Sequence, residues 1–326
     1  MKKWIGSLCL AGMTWMGAYG QESPAPLKTG TANYLTIPAD ARSAAMGGCG
    51  VAMTDGNGAI FHNGAAALQD ASSKGGISYT YIPWMRDHSS GFSLHSVGGF
   101  YRINRRHAVL LGFRRFGYPS LSGMEEGAAD IHPKELAIEA GYAYRIVENL
   151  SVSATVKYLY ADMGTAGDGN GAGTVAFDVA ALYNREFRNL PDAFWSVGLQ
   201  ATHIGPKMKF LTSHESLPTM LKAGGAVSLP FLQIHRFTLT ADAVWRLSPS
   251  DVQAFGINAG AEYSVASLLM LRGGYHYGDK EKGDNSYATA GAGVKYKGIR
   301  LDFAWMFAGR DCLARNTYWL SLGYGF

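Results

Sequence analysis

Long apolar runs are missing from this 326-residue chain. No stretch approaches the eighteen or so consecutive apolar residues that a transmembrane helix requires, so membrane-spanning helices are excluded. Cysteine is scarce: Cys9, Cys49 and Cys312 are the whole supply. Charge is thin as well. Charged residues make up 17% and the formal net charge is +4, too mild a balance to imply a nucleic-acid partner. Catalytic signatures are also lacking. The nine histidines show no metal-ligand spacing. His88 beside Ser89 and Ser90, or His214 beside Ser213 and Glu215, could be drawn as hydrolase sites, but no G-x-S-x-G surrounds either. Polar loop residues account for both. DGNGA occurs at Asp55–Ala59 and again at Asp168–Ala172. Neither copy has the downstream Glu of an EF-hand loop, and turn formation explains both. Gly167–Gly173 is glycine-dense but has no Lys-Ser/Thr of a phosphate loop. These residues point to no enzyme, no metal and no cofactor.

What is abundant is glycine and aromatics: 42 Gly, 18 Tyr, 15 Phe and 7 Trp in a chain that is 47% hydrophobic. Such a composition suits a membrane β-barrel, with aromatic girdles outside and small residues inside. A secreted soluble all-β protein would share it. The N-terminus indicates export. Met1-Lys2-Lys3 is basic, Trp4–Gly17 is a short apolar stretch, and Ala18-Tyr19-Gly20 offers small residues for cleavage. Residues 1–20 therefore read as a signal peptide, leaving Gln21 as the mature start. Cys9 sits too early for a lipoprotein site and lacks the expected Leu three residues before it. Export makes a Cys49–Cys312 disulfide chemically possible, but nothing places the two together, and free thiols are expected.

Period-2 alternation, the strand signature, recurs throughout. Val152, Ala154, Val156, Tyr158 and Tyr160 share one face opposite Ser151, Ser153, Thr155 and Lys157. Ile299, Leu301, Phe303, Trp305 and Phe307 lie opposite Arg300 and Asp302. About fourteen such segments can be placed, each of about the ten residues that a tilted membrane strand needs. They begin near Gly75, Gly91, His107, Glu135, Leu150, Gly173, Ala193, Met220, Ile234, Gln253, Leu268, Ser286, Gly298 and Asn316. The chain ends on such a segment: Tyr318, Leu320, Leu322, Tyr324 and Phe326 form its large face. These five are expected to face lipid on a strand that closes the barrel against the first. The terminal aromatic resembles the signal read by the barrel-assembly machinery.

Connections between segments alternate short and long, as in outer-membrane barrels, which have short periplasmic turns and long extracellular loops. Long ones include Tyr118–Pro133, Asp162–Ala172, Ile204–Thr219 and Asp279–Asn285. Charged strand residues gather on one face, among them Glu139, Lys157, Asp178, Lys222, Asp242, Glu262, Arg272, Lys295, Arg300 and Asp302. In a membrane barrel that face is the lumen. The mixture of signs fits a charge-paired, filled lumen at least as well as an open water pore. Trp84, Trp195, Trp245, Trp305 and Trp319 are expected in the interfacial girdle. Residues 75–326 thus form a transmembrane antiparallel barrel, and residues 21–74, rich in Gly and Ala and poor in charge, form an N-terminal plug. Ala39–Ala45 and Asn63–Gln69 are its candidate short helices.

The plug stretch also carries a resemblance. Asn33–Gly50 reads NYLTIPADARSAAMGGCG and continues as VAMTDGNGAIFHNGAAAL to Leu68. This is similar to the start of the PorV/PorQ family, outer-membrane proteins of the type IX secretion system of Bacteroidetes. The shared element is Asp40, Ala41, Arg42, Met46 and Gly47, with Asn63 in the later His62-Asn63-Gly64-Ala65-Ala66 element, which here lacks the family's usual Pro. Gly75–Trp84, Phe113-Arg114-Arg115-Phe116, Glu135–Ile138, Ile204–Met208 and Leu217-Pro218 resemble later landmarks. The length is nearer PorQ, so a principal member and an accessory paralogue are both compatible. The resemblance implies a fourteen-stranded, FadL-like barrel with a plug and no catalytic role. It implies binding of secreted type IX cargo through the cargo's C-terminal signal domain, and contacts with translocon and attachment-complex proteins and with outer-membrane lipid. The cargo surface would be built from the long loops near Tyr118–Pro133 and Ile204–Thr219. The alternative is a FadL-like transporter of hydrophobic small molecules. It would need a lateral gap, which Gly224-Gly225 or Gly273-Gly274 could open by bending a strand. A surface lipid-modifying enzyme, resting on the loop histidines, is a third reading.

Overall fold

A computed structural model describes residues 31–69, 73–86, 91–120, 132–162, 171–210, 213–310 and 312–326. The signal-peptide stretch lies outside them, as do His88, Ser89 and Ser90, most of the second DGNGA copy, and residues 121–131 of one long loop. Fourteen strands close into an antiparallel barrel. They are β1 (Gly75–Pro83), β2 (Ser93–Arg102), β3 (His107–Gly117), β4 (Lys134–Val147), β5 (Leu150–Asp162), β6 (Gly171–Glu186), β7 (Phe194–Ile204), β10 (Met220–Phe231), β11 (His235–Arg246), β12 (Ala254–Val265), β13 (Leu269–Tyr277), β14 (Tyr287–Tyr296), β15 (Ile299–Ala308) and β16 (Tyr318–Gly325). Between β7 and β10, β8 (Met208–Lys209) and β9 (His214–Glu215) form a separate small hairpin.

The first and last strands pair from Gly76↔Gly325 to Tyr81↔Leu320, so the barrel has no free edge. Short connections (103–106, 148–149, 187–193, 232–234, 266–268 and 297–298) collect at one end, here the turn end. The strand ends joined by 84–92, 118–133, 163–170, 205–219, 247–253, 278–286 and 309–317 lie at the other, the loop end. Large apolar residues face out, with Leu111, Ile138, Phe177 and Leu322 all more than half exposed. Charged residues such as Glu139, Lys157, Asp242 and Asp302 face in and are buried.

Residues 31–69 run through the lumen. A single-turn helix, α1 (Ala41–Ala45), begins where the Asp40 carboxylate accepts the Ser43 amide at 2.8 Å. Its small side chains let it pack closely on β13–β16. A 3-10 turn at Gly64–Leu68 packs on β2–β6 across the lumen. Apolar clusters cap the polar middle at both ends. At the loop end Tyr34, Leu35, Ile82, Leu94, Phe116 and Met208 meet. At the turn end Ile60, Leu68, Phe100, Leu110 and Leu182 meet.

Two tryptophans correct the girdle expectation. Trp319 points into the lumen, buried, with its indole N–H donating to the Pro38 carbonyl at 2.9 Å. Trp84 packs edge-on against it and joins the loop-end cluster. The large side chains of β16 alternate outward, and Trp319 occupies the opposite parity. Trp195, Trp245 and Trp305 lie on outward-facing positions.

Candidate functional site

Two ion-pair networks fill the polar middle of the lumen. The first joins the inner segment to β12, β13 and β15. The Arg42 guanidinium grips Glu262 with two bonds, Nε to Oε2 at 2.9 Å and Nη2 to Oε1 at 2.8 Å, the bidentate geometry that suits arginine. Its Nη1 reaches Asp55 at 3.2 Å. Arg272 continues the chain to Glu262 at 2.6 Å and Asp302 at 2.7 Å, and Arg300 bridges Asp302 and Asp55. Three guanidinium groups thus meet three carboxylates, as buried charges require. Burial alone would raise the Asp55 carboxyl, but Arg300 and Arg42 hold it below the usual carboxylate range.

The second network lies nearer the loop end. Glu139 sits 2.7 Å from Arg114 and 3.2 Å from Lys157, and Lys157 sits 2.7 Å from Asp178. The other Asp178 oxygen accepts the His203 amide at 2.8 Å, where the β6–β7 register shifts.

Backbone contacts hold the inner segment on several sides. Asp242 Oδ2 accepts the Gly50 and Val51 amides at 2.8 and 3.1 Å. Thr289 accepts from the Gly47 amide and donates to the Ala45 carbonyl. Ser321 accepts from Ala41, Ser196 donates to Ala52, and Asn63 donates to both Val51 and Ala181. Wall glycines make room for this approach. A Cβ on Gly274 would lie 2.7 Å from Met46 Cα, and one on Gly260 would lie 2.6 Å from Met46 Cβ. Gly47 adopts φ +71° against the Tyr275 backbone, where a side chain would be both strained and blocked.

Asp40, Arg42, Asp55, His62, Asn63 and Arg300 line a polar cavity of about 40 Å³. That is room for water, not for an organic ligand. Asp40 pairs there with His62. Burial pushes its carboxyl up, but the His62 imidazole and the Ser43 amide more than reverse this and hold it well below the usual carboxylate range. Cys49 is buried, and burial together with the nearby Asp242 carboxylate pushes its thiol far up, which makes it unreactive. Cys49 and Cys312 are both free.

The family whose model matches this sequence, over residues 21–253, is described as Type IX secretion system protein PorV. The chain belongs to the PorV family. No curated protein matches it. Among solved structures it is similar to the CymD monoaromatic hydrocarbon channel, at TM-score 0.60 and 14% identity over 89% of this chain and 98% of that one. It is also similar to the Ralstonia pickettii toluene transporter TbuX, at TM-score 0.57 and 16% identity over 89% and 98%. A Pseudomonas aeruginosa FadL homologue aligns at TM-score 0.50 and 12% identity over 88% and 98%. Identities this low establish the fold, a FadL-like outer-membrane barrel, and nothing of the cargo.

In this PorV-family barrel the quoted motif residues separate into two groups. Asp40, Arg42 and Asn63 meet around the polar cavity, whereas Met46 and Gly47 press on β12–β14. Nothing in the sequence marks Arg42's partner, because Glu262 is one lumen charge among ten. The glycine pairs proposed for a lateral gap do not open one, because pairing continues through both. Gly224 and Gly274 face the inner segment. Gly225 and Gly273 instead line a shallow outward groove of about 650 Å³ with Trp195, Leu239, Ala261 and Tyr275. At the loop end, Tyr118 bonds the Glu135 carboxylate, and β8–β9 tucks Met208 into the apolar cluster. His214 is exposed on β9, and among the described residues no three His, Cys, Asp or Glu side chains gather as a metal site.

Proposed function

We propose that this type IX outer-membrane component works by recognition at its loop-end surface, not by conduction through its lumen. In this reading residues 1–20 are removed on export and residues 21–74 act as a standing plug. The long loops around 118–133 and 204–219 receive secreted cargo through its C-terminal signal domain, and translocon or attachment-complex proteins take it on. No catalytic step is involved. The observation that carries this reading is the filled lumen: the inner segment is ion-paired and hydrogen-bonded to β5–β7, β11, β12 and β14–β16. Deleting the gene and following surface display of type IX cargo tests it. Loss of display, restored by the wild-type gene, is the expected result. Normal display with no cargo or translocon protein co-purifying would refute it.

The second reading is a transporter of hydrophobic small molecules. Its support is the fold shared with hydrocarbon channels, together with the apolar groove on β10–β13. Monoaromatic or lipid ligand retained by the purified protein, alongside normal cargo display in the deletion strain, would favour it.

A further inference from the structure

The outward face of the barrel wall is nearly free of charge. Within the described strands, charged side chains at outward positions are Arg115 on β3, Lys134 and Asp162 at the adjoining ends of β4 and β5, and Arg185 beside the turn end of β6. Lys134 and Asp162 answer each other at 3.7 Å. Arg115 is exposed two residues inside the loop end of β3, and among the described residues no carboxylate pairs with it.

Its surroundings are those of a bilayer edge. His95 on β2 is its register partner, hydrogen-bonded to the Tyr79 hydroxyl at 2.9 Å and 5.2 Å from the Tyr81 ring. Across β1, the Arg86 guanidinium lies 5.3 Å from the Tyr318 ring centroid on β16. Three strand spacings separate β16 from β3, about 14 Å at about 4.8 Å each. Two cations thus flank an outward patch of Tyr79, Tyr81 and His95.

An arginine on the lipid side is costly at the bilayer centre and close to neutral at the interface, where its long stem lets the head reach the polar layer. The loop end of a bacterial barrel is extracellular, and the outer leaflet there presents phosphorylated glycolipid headgroups. A guanidinium meets a phosphate with two parallel hydrogen bonds, and tyrosines favour the same depth. We propose that the outward rim of β16, β1, β2 and β3 binds the phosphorylated headgroup of an outer-leaflet glycolipid, with Arg115 as the principal phosphate ligand and Arg86 as a second contact.

The test uses the full-length protein in detergent with added diphosphoryl lipid A, counting bound lipid by native mass spectrometry. Lipid A stripped of both phosphates is the comparison. Wild type should retain the phosphorylated form and release the stripped one. Arg115→Gln should retain about tenfold less, the scale of one charge-assisted contact. Arg115→Lys should fall between, because it keeps the charge but loses the planar fork. Equal retention of both lipids, or equal retention by wild type and Arg115→Gln, would overturn the proposal. If Arg115→Gln does not assemble, Arg115→Lys and a photocrosslinker in place of His95, the register partner of Arg115, carry the test in cells. Glycolipid adducts support the site. Adducts with protein alone overturn it and assign this rim to a protein partner.

Discussion

Replacing Arg42 by Met should loosen the inner segment without opening the barrel. The substitution removes three hydrogen bonds, two to Glu262 and one to Asp55. Glu262 keeps Arg272 and Asp55 keeps Arg300, so neither carboxylate is left wholly unpaired. Removing one partner of a buried pair costs about 3–5 kcal/mol, and the surviving partners place this case near the lower bound, about 3 kcal/mol. At about 1.4 kcal/mol per factor of ten, the local opening equilibrium should rise about 100-fold. Hydrogen exchange can read this directly. The Gly47, Gly50 and Val51 amides are bonded to Thr289 and Asp242, Gly47 also to the Ala44 carbonyl, and they lose these wall acceptors only when the segment lifts. Their exchange should accelerate about 100-fold in Arg42→Met, while amides in β4 and β5 stay unchanged. The Arg42→Met/Glu262→Gln double variant should show a coupling energy of about 1–3 kcal/mol, as expected for residues in direct contact. Exchange within about threefold of wild type at those three amides would refute the reasoning. So would equal acceleration in β4 and β5, since the segment would then not open as a separate unit.

Gly274→Val should expel the segment by collision, because its Cβ would meet the Met46–Gly47 backbone. The barrel should still migrate as a heat-modifiable species, but residues 31–69 should become protease-sensitive, and unchanged resistance would count against the described seat. Segment attachment should also depend on acidity. Because Asp40 titrates below its ordinary range in the folded protein, its stabilisation is present above about pH 4 and fades as pH falls towards the native value; hydrogen exchange of the Ser43 amide should quicken with acid in wild type and show a flatter dependence in Asp40→Asn. Phe326→Asp should reduce the heat-modifiable protein recovered from outer membranes, since the Phe326 ring lies against Gly75 and 6.0 Å from the Tyr324 ring at the seam; unchanged recovery would contradict a role for this ring in closing the barrel.

The strands were legible because their signal is repeated and redundant. All fourteen begin within two residues of the positions read from alternation. The charges supplied the parity: Glu139, Lys157 and Asp178 had to share a side, and that side is buried. Features that depend on one residue were harder. Trp319 breaks the parity of large residues on β16, and nothing local distinguishes an aromatic that fills the lumen from one that anchors in the interface. The β8–β9 hairpin has two-residue strands, too short to show alternation. The Arg42–Glu262 pair spans 220 positions of sequence, and its partner depends on how deep the inner segment sits, which the wall glycines at 260 and 274 decide. Alternation records which way a side chain points but not what it meets.

The proposed reading, recognition without conduction, rests on what it would take to open the lumen. A path through this lumen would require the inner segment to leave Glu262, Arg300, Asp242, Thr289 and Ser321 together. A hydrogen bond to a charged group contributes about 1.5–3 kcal/mol, and at least four of those lost here are of that kind. Even allowing for non-additivity, the cost is on the order of 8 kcal/mol, an open fraction of about one in a million at 1.4 kcal/mol per factor of ten. Spontaneous opening that rare cannot support a solute flux. Only a partner that binds the displaced segment more tightly than the wall does could hold it open, and such a partner would need differential affinity of the same size. The apolar clusters at both ends raise the requirement further, because they must also be unpacked. On the proposed reading, selection on this barrel would fall on what it presents outward, at its loops and along its wall.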